Sequence, residues 1–427
     1  MIEALYRVYL QHPNIQTDTR KPTAGEIFFA LKGPNFNGNS FAGKALETGA
    51  AAVVLDEDPG FRDERVFLVK DALKALQDLA LHHRKQLSIP FLAITGSNGK
   101  TTTKELVHAV LAEKYRTSTT VGNLNNHIGV PLTILSVPAD AEIAVIEMGA
   151  NHRKEIESYC SYTLPTHGII TNCGKAHLEG FRGIEGVRKG KGELYDFLRA
   201  HDGTAFVMWD YEYFHEMSRG IPHIITYGTK DAEITGTVLK SEPFLDVQMQ
   251  SGSDIKEIST QLVGDYNLPN IIVAVAVGEY FKVPSEKIRY AIEHYLPTNS
   301  RSQLLQKGSN TIILDAYNAN PTSMKAAIEN FAHREPADKY VCIGAMMELG
   351  ADSHAEHQAI VDLLEHYPWK EVLLTGGDFA TAQHHYRYFD NAMSAKEWLQ
   401  SQSLQDALLL IKGSRSMKME TLLQAFE

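Results

Sequence analysis

The 427-residue chain has only three cysteines, Cys160, Cys173 and Cys342, and no two of them form a CxxC pair. That scarcity excludes a disulfide framework and fits a reducing compartment with buried free thiols. No apolar run reaches the roughly eighteen residues of a membrane span. The stretch MIEALYRVYLQHPN carries Glu3 early and has no long apolar centre, so a signal peptide is not expected. Basic residues are in deficit, with 41 Lys and Arg against 52 Asp and Glu and a formal net charge of −11. A general nucleic-acid surface is thereby excluded, and any anionic substrate must be held by local donors against the field of the whole molecule. Internal repeats and low-complexity tracts are also missing. What remains, 44% hydrophobic and 22% charged residues, is the composition of a globular, cytoplasmic protein too long for one core.

The densest chemistry lies in Phe91 to Thr103, FLAITGSNGKTTT. Phe91-Leu92-Ala93-Ile94 predicts a buried strand and Gly96 to Gly99 a sharp turn. Lys100 then opens a helix whose Leu106, Val107, Val110 and Leu111 recur at helical spacing. A strand, a glycine turn and Lys-Thr at a helix start make a polyphosphate cradle. The glycines let backbone N–H groups reach phosphate oxygens, and the helix N-terminus favours their charge. Lys100 reaches the outer phosphates, and a threonine hydroxyl holds magnesium. Ile94 stands where the full spacing wants a glycine, so this is a shortened GxxGKT version. The bland alternative is a Gly-rich turn with a surface lysine, but the strand and helix on the correct sides favour ATP or GTP.

Strand and helix patterns alternate along the chain, which predicts an α/β protein of three domains. Residues 1–85 read as a small unit with strands at Ile27–Leu31, Ala51–Leu55 and Val66–Val69, and helices at Ser40–Glu47 and from Ala72 to about Arg84. His82–Pro90 reads as a linker. Residues 86–296 predict a mostly parallel sheet with crossover helices, its strands including Phe91–Thr95, Ile143–Met148 and Gly168–Asn172. Short β-rich pieces between His223 and Leu262 predict an antiparallel addition at the sheet edge, and a helix over Asn270–Tyr280 closes the domain. Residues 297–427 predict a Rossmann-like unit with strands Thr311–Leu314, Tyr340–Ile343, Val372–Leu374 and Ala407–Ile411. No GxGxxG turn follows its first strand, so a dinucleotide is not expected there.

Ligands of an open parallel sheet collect outside the carboxyl ends of its strands. Glu147, at the end of an apolar run, is thereby placed beside the phosphates to hold Mg2+ through oxygen, the alternative being a turn glutamate. His177 is a metal ligand, a general base or a polar loop residue. Lys189 and Lys191 can form a solvated basic face; only if buried near the metal would a neutral Lys191 add CO2 and offer carbamate oxygens to Mg2+. The amide-rich Gly122–Gly129 suits peptide or sugar recognition, or simply a turn-rich loop. Asp18-Thr19-Arg20 offers donors and acceptors to a uridine edge or a phosphate, although residue physics alone favours a plain turn. In the third unit Asp315 can bind a ribose hydroxyl, and Tyr317, Asn318 and Asn320 a polar substrate. Arg301 and the run Lys412–Arg415 would suit a closing phosphate clamp, against an ordinary salt-bridged surface. The HAEH run at His354–His357 lacks further ligand spacing and is expected on a helix surface.

Together these stretches resemble the Mur ligases of peptidoglycan synthesis, and among them the family that joins D-alanyl-D-alanine to UDP-N-acetylmuramoyl-tripeptide. The ordered set DTR, GEIFFALKG, TGSNGKTTTKE, GNLNNHIGVP, IEMGAN, TNCGKAHLEGF, KGKGELY, NLPN, DAYNANP and KGSRSMKME carries the resemblance over nearly the whole chain. The sister ligase that adds diaminopimelate or lysine has YAH where this chain has Tyr317-Asn318-Ala319, and its frequent DNPR motif is absent here. The resemblance implies a UDP-binding first domain, a central ATPase and a Rossmann-like third domain. It further implies a cytoplasmic monomer that uses ATP and two Mg2+ ions to form an amide through an acyl phosphate.

By the same resemblance Gly96, Ser97, Asn98, Gly99, Lys100, Thr101 and Thr102 form the phosphate loop. Catalysis falls to Lys100, Glu147, His177 and Lys191, with Thr101, Glu147, His177 and the carbamate of Lys191 holding metal. Asn267 and Asn270 match the region near adenine, and Arg301 and Asp315 the third-domain contacts to phosphate and ribose. Asp18, Thr19 and Arg20 match the uridine end; Asn125 and Asn126, with Tyr317, Asn318 and Asn320, match the muramoyl-peptide and D-alanyl-D-alanine. Departures occur at Asn37-Gly38-Asn39, Tyr266, Leu314 and Ala345, where the family usually has DGH, a histidine and two aspartates. None touches the phosphate loop or the metal positions. The rivals are a superfamily ligase adding another amino acid or extending folate with glutamate, and a nucleotide-gated regulator that has lost ligation.

Overall fold

The computed structural model describes residues 1–427 apart from 19, 22, 23, 298, 299, 336, 337 and 427. In the first unit helix α1 (Ile2–Gln11) buries Leu5 and Tyr9. The short strands β1 (Ile15–Gln16) and β2 (Ile27–Phe29) are followed by a hairpin of β3 (Lys32–Gly33) and β4 (Phe36–Asn37). Helix α2 (Ala42–Glu47), β5 (Ala52–Leu55), β6 (Val66–Leu68) and α3 (Ala72–Gln86) complete it. The sheet runs in the order β1-β2-β5-β6, all parallel.

Helix α3 corrects the linker expected over His82–Pro90, because it stays helical through Gln86. Two polar heads of the HHRK run, those of His83 and Arg84, reach carbonyls of the central unit. His83 Nε2 lies 2.9 Å from Val137 O, and Arg84 donates to Thr163 O at 2.8 Å, Leu164 O at 3.1 Å and Leu87 O at 2.6 Å. The Arg84 guanidinium also lies over the Phe91 ring at 3.9 Å, against the strand that carries the phosphate loop. Arg84→Ala is therefore expected to lower unfolding free energy by about 2 to 4 kcal/mol, since three carbonyls lose their donor. Urea unfolding measures this, and an unchanged midpoint would contradict the anchoring role.

The central unit begins with β7 (Phe91–Thr95), buried at every position as expected of a continuous apolar strand in a parallel sheet. Next come α4 (Lys100–Ala112), β8 (Thr117–Thr119), α5 (Gly129–Leu135), β9 (Ile143–Glu147), α6 (Glu155–Thr163) and β10 (His167–Ile170). They are followed by α7 (Leu178–Phe181), α8 (Ile184–Ala200), β11 (Thr204–Met208), α9 (Glu212–Met217) and β12 (His223–Gly228). The last members are β13 (Ile234–Lys240), β14 (Asp246–Ser251), β15 (Glu257–Ser259), α10 (Leu268–Tyr280) and α11 (Ser285–Glu293). Strand order is β15-β14-β13-β12-β11-β10-β7-β9-β8. The edge addition is antiparallel only from β13 outward, because β12 pairs in parallel with both β11 and β13. After β7 the chain fills one side of the sheet, β9 and β8, and then crosses to β10, which opens a crevice at the carboxyl ends around β7.

The third unit holds β16 (Gln303–Lys307), β17 (Asn310–Asp315), α12 (Pro321–Ala332), β18 (Lys339–Gly344), α13 (Ser353–Glu365), β19 (Glu371–Thr375), β20 (Arg387–Phe389), α14 (Ala392–Ser401) and β21 (Leu408–Lys412). Its sheet order is β16-β17-β21-β18-β19-β20, with β16 antiparallel and the rest parallel. The expectation that HAEH lies on a helix surface fails at His357, which is fully buried on the α13 face of Ile360, Val361 and Leu364. Its Nε2 accepts the Met346 N–H at 3.1 Å and its Nδ1 lies 2.7 Å from Ser353 O, so the ring is a satisfied core histidine. Cys160, Cys173 and Cys342 are buried free thiols. Among the described residues no helix is long and apolar enough to cross a membrane.

Candidate active site

Strand β7 delivers the chain to Gly96 at φ +142°, where a Cβ would meet Thr171 Oγ1 at 1.9 Å, and to Gly99 at φ +81°, where it would meet Asn270 Oδ1 at 2.7 Å. Only glycine fits both places. Gly99 caps α4 without a side-chain acceptor, which leaves the first N–H groups of the helix free to receive an anion. Lys100 Nζ folds back onto Gly96 O at 2.7 Å and Ser97 O at 3.3 Å. Burial holds its pKa below the ordinary lysine value; Glu147 pulls the other way and Arg301 adds to the lowering.

Glu147, the last residue of β9, is 1% exposed and accepts from Thr101 Oγ1 at 3.0 Å and from Asn125 Nδ2 at 2.7 Å. His177 sits in left-handed backbone (φ 52°) and pairs through Nδ1 with the Glu348 carboxylate of the third unit. Lys191 on α8 is 1% exposed, and its Nζ donates to Ala150 O at 2.9 Å. Burial, with the Lys100 charge second, takes its amine down to about 7. Asn270 accepts from Thr103 Oγ1 at 3.0 Å and donates to Asn267 Oδ1 at 2.9 Å, which fixes both amides at the start of α10.

From the third unit the Arg301 guanidinium lies over the Tyr317 ring at 3.6 Å, and its buried Nε has no hydrogen-bond partner. Asp315 is held 2.5 Å from Lys412 Nζ, which also reaches Asn318 O at 3.3 Å. Arg415 points instead to Glu420 at 2.9 Å. Of the cations expected to form a clamp, Arg301 is thus the one with no carboxylate partner among the described residues. The two units meet where Asn320 Nδ2 donates to Asn98 Oδ1 at 2.7 Å, and Lys175 N donates to Thr322 Oγ1 at 2.9 Å.

These groups surround one cavity of about 1070 Å3. Ser97 to Thr102, Glu147, Asn125, Asn126 and His177 line it from one side, with Asn267 and Asn270 at the start of α10. Arg301, Asp315, Tyr317, Asn318 and Asn320 line it from the third unit. Gly96 and Lys191 are not among the lining residues, and Lys191 is reached through Ala150, which is. Asp18 and Arg20 do not line the cavity either. Arg20, with its side chain 87% exposed, grips Asp18 at 2.8 and 2.9 Å and holds its carboxyl at about 2. Thr19 lies outside the described residues. Sequence reasoning missed Met208, Asp210, Tyr211 and Tyr213, which also line the cavity. A strand at 204–208 was the signal, since it puts 209–213 at a carboxyl end.

Among the described residues no three His, Cys, Asp or Glu side chains form a ready metal cage. The donors present, a threonine hydroxyl 3.0 Å from a buried carboxylate, are nevertheless the hard oxygens that Mg2+ takes. The Lys191 amine, depressed to about 7 and bonded to Ala150 O, suits conversion to a carbamate.

A family model described as the Mur ligase middle domain matches residues 94–278, and one described as the Mur ligase glutamate ligase domain matches 300–415. The UDP-N-acetylmuramoyl-tripeptide–D-alanyl-D-alanine ligase of Bacillus subtilis (strain 168) is 34% identical over 424 residues, covering 96% of this chain and 92% of the relative. The chain belongs to the Mur ligase family. The ligase of the same name from Escherichia coli (strain K12) is 32% identical, over 97% of this Mur ligase and 93% of the relative. A crystal structure of MurF from Acinetobacter baumannii superposes with a TM-score of 0.87 at 30% identity, covering 97% of this chain and 93% of that one. MurF from Thermotoga maritima in complex with ADP superposes at 0.89 with 24% identity, over 98% and 97% of the two chains, and speaks for the fold. The α/β architecture in three units is that of this Mur ligase's relatives.

Proposed function

We propose that this Mur ligase joins D-alanyl-D-alanine to UDP-N-acetylmuramoyl-tripeptide with hydrolysis of ATP, in the synthesis of peptidoglycan precursors. The observation that carries the reading is the one cavity that Ser97 to Thr102, Glu147 and, from the third unit, Tyr317, Asn318 and Asn320 all line. In the first step the terminal carboxylate of the tripeptide attacks the γ-phosphoryl group and ADP leaves. In the second the dipeptide amine attacks the acyl phosphate, loses its proton, and phosphate departs to leave the amide. A carboxylate is a poor electrophile with a poor leaving group, so phosphorylation is what makes the amide accessible. Lys100 and Arg301 offset charge on the phosphates, and the apposed third unit keeps water from the acyl phosphate.

Asn125 and Asn126 would hold the muramoyl-peptide, and Tyr317, Asn318 and Asn320 the incoming dipeptide. Asn267, Asn270 and Asp315 would hold the nucleoside, and Asp18, Thr19 and Arg20 the uridine end, on the first of three domains spanning 1–85, 86–296 and 297–427. Thr101, Glu147, His177 and a carbamylated Lys191 would hold two Mg2+ ions. Bound there, the metal would neutralise phosphate oxygens and make the phosphorus a better electrophile. All these groups come from one chain, so a monomer suffices, and the unpaired thiols favour the cytoplasm.

The deciding experiment is ADP release measured with each substrate omitted in turn. Release that requires both UDP-N-acetylmuramoyl-tripeptide and D-alanyl-D-alanine is expected. Release with another amino acid or with a folate would select a sister activity, and no coupling at all would select a regulator.

A further inference from the structure

Two residues in left-handed backbone meet across the central and third units. His177 (φ 52°) lies past the end of β10 and Glu348 (φ 61°) past the end of β18. Residues other than glycine rarely adopt that conformation, and where they do the surrounding structure has to hold them there, most often at a functional site. Here the two hold each other, the His177 Nδ1 against the Glu348 carboxylate. An ionised carboxylate only accepts, so Nδ1 carries the proton and Nε2 is left with a free lone pair.

Backbone fixes the same contact. The Glu179 N–H donates to Glu348 O at 3.3 Å, and a Cβ on Gly350 would lie 3.1 Å from Glu179. One turn earlier in the chain, Lys175 N donates to Thr322 Oγ1 at 2.9 Å and Lys175 Nζ to Glu356 at 2.5 Å. This seam sets where the carboxylate stands relative to the imidazole. Among the described residues nothing else bonds to the ring. His177 lines the cavity and Glu348 does not, so Glu348 reaches the site through His177 alone.

We propose that Glu348 is a positioning residue: it fixes the rotation and tautomer of His177 and so keeps Nε2 as the nitrogen offered to Mg2+. The carboxylate comes from the third unit, so the ring is held this way only while that unit is docked. Docking and metal affinity at His177 therefore favour each other. Imidazoles that hold metal commonly donate their other N–H to a carboxylate, and losing that acceptor costs roughly ten- to a hundredfold in metal affinity. The inference rests on the reading of His177 as a metal position and deepens it.

The test is Mn2+ binding to the ADP-bound full chain, read by electron paramagnetic resonance with no peptide substrate present. Glu348→Ala is expected to bind Mn2+ about tenfold or more weaker than wild type. Glu348→Gln, whose amide oxygen still accepts, should stay within about threefold. His177→Ala should lose affinity by a similar factor, and adding Glu348→Ala to it should cost nothing further. A residue that merely glued the two units would weaken binding in both backgrounds. Unchanged affinity in Glu348→Ala, or a loss that persists beside His177→Ala, would overturn the proposal. If Glu348→Ala does not fold, a tenfold loss in folded Glu348→Gln overturns it. Equal binding by wild type and His177→Ala removes the metal from His177 and this proposal with it, while ADP release still decides the ligase reading. A chain that shows the expected cycle but ligates nothing would sink the ligase reading and leave this one standing.

Discussion

Lys100→Ala is expected to leave a folded protein whose ATP-dependent ligation falls at least about a thousandfold. The folded half of the result follows from what the side chain touches. Its ammonium bonds to the carbonyls of Gly96 and Ser97, and Ser97 lines the cavity, so water entering in place of the ammonium makes good their loss of a donor. The functional half follows from charge. Two anions, the triphosphate and the tripeptide carboxylate, must approach within bonding distance inside a molecule of net charge −11. Lys100 is the cation on the loop itself, and its carbonyl contacts hold it over the turn before any ligand arrives. Arg301 comes from another unit and Lys412 is already neutralised by Asp315, so neither replaces it. ADP release with both substrates present, read beside a thermal melt, checks both halves; near-normal turnover in a folded variant would sink the account.

What was legible in the sequence was whatever a local pattern could carry. Phe91–Thr95 came out residue for residue, because a strand buried on both faces reads as an unbroken apolar run and the glycines that end it are forced. Short or edge strands such as Thr117–Thr119 and Gln303–Lys307 did not, since their mixed polarity is that of a loop until a neighbour pairs with them. Arg84 and His357 misled for the opposite reason: one was read into a linker and the other onto a helix surface, and tertiary carbonyls and N–H groups satisfied both in the core. Burial of Lys191 was equally invisible. The run RKGKGELY looks like a solvated basic face, yet Lys191 falls on the α8 side that packs inward with Val187, Leu194 and Leu198. The motif order across the chain implied a role for it, and the fold shows a buried amine bonded to Ala150 O.

That environment makes Lys191→Ala the sharpest remaining test. A lysine with its Nζ on one carbonyl, 5.0 Å from the Phe181 ring, and 1% exposed is poorly solvated as an ammonium. With its pKa near 7 about half the side chains are neutral amines at neutral pH. A neutral amine adds CO2 and loses a proton to give a carbamate, turning a buried cation into an anion with two oxygens beside Ala150, on the segment that follows Glu147. Removing the side chain should cost ligation a hundredfold or more, by roughly the magnitude of a lost metal-orienting group, and leave a space that a short carboxylic acid can enter. Partial rescue by added acetate or propionate is therefore expected, which an inert structural lysine would not give. The same chemistry fixes the sign of a pH effect in wild-type protein without nucleotide. Uptake of carbon-13 label from bicarbonate, read by NMR, should rise as pH passes upward through about 7, where the amine loses its proton, and level off above it. A fully active Lys191→Ala enzyme, or labelling that is indifferent to pH across that range, would return the residue to a packing role.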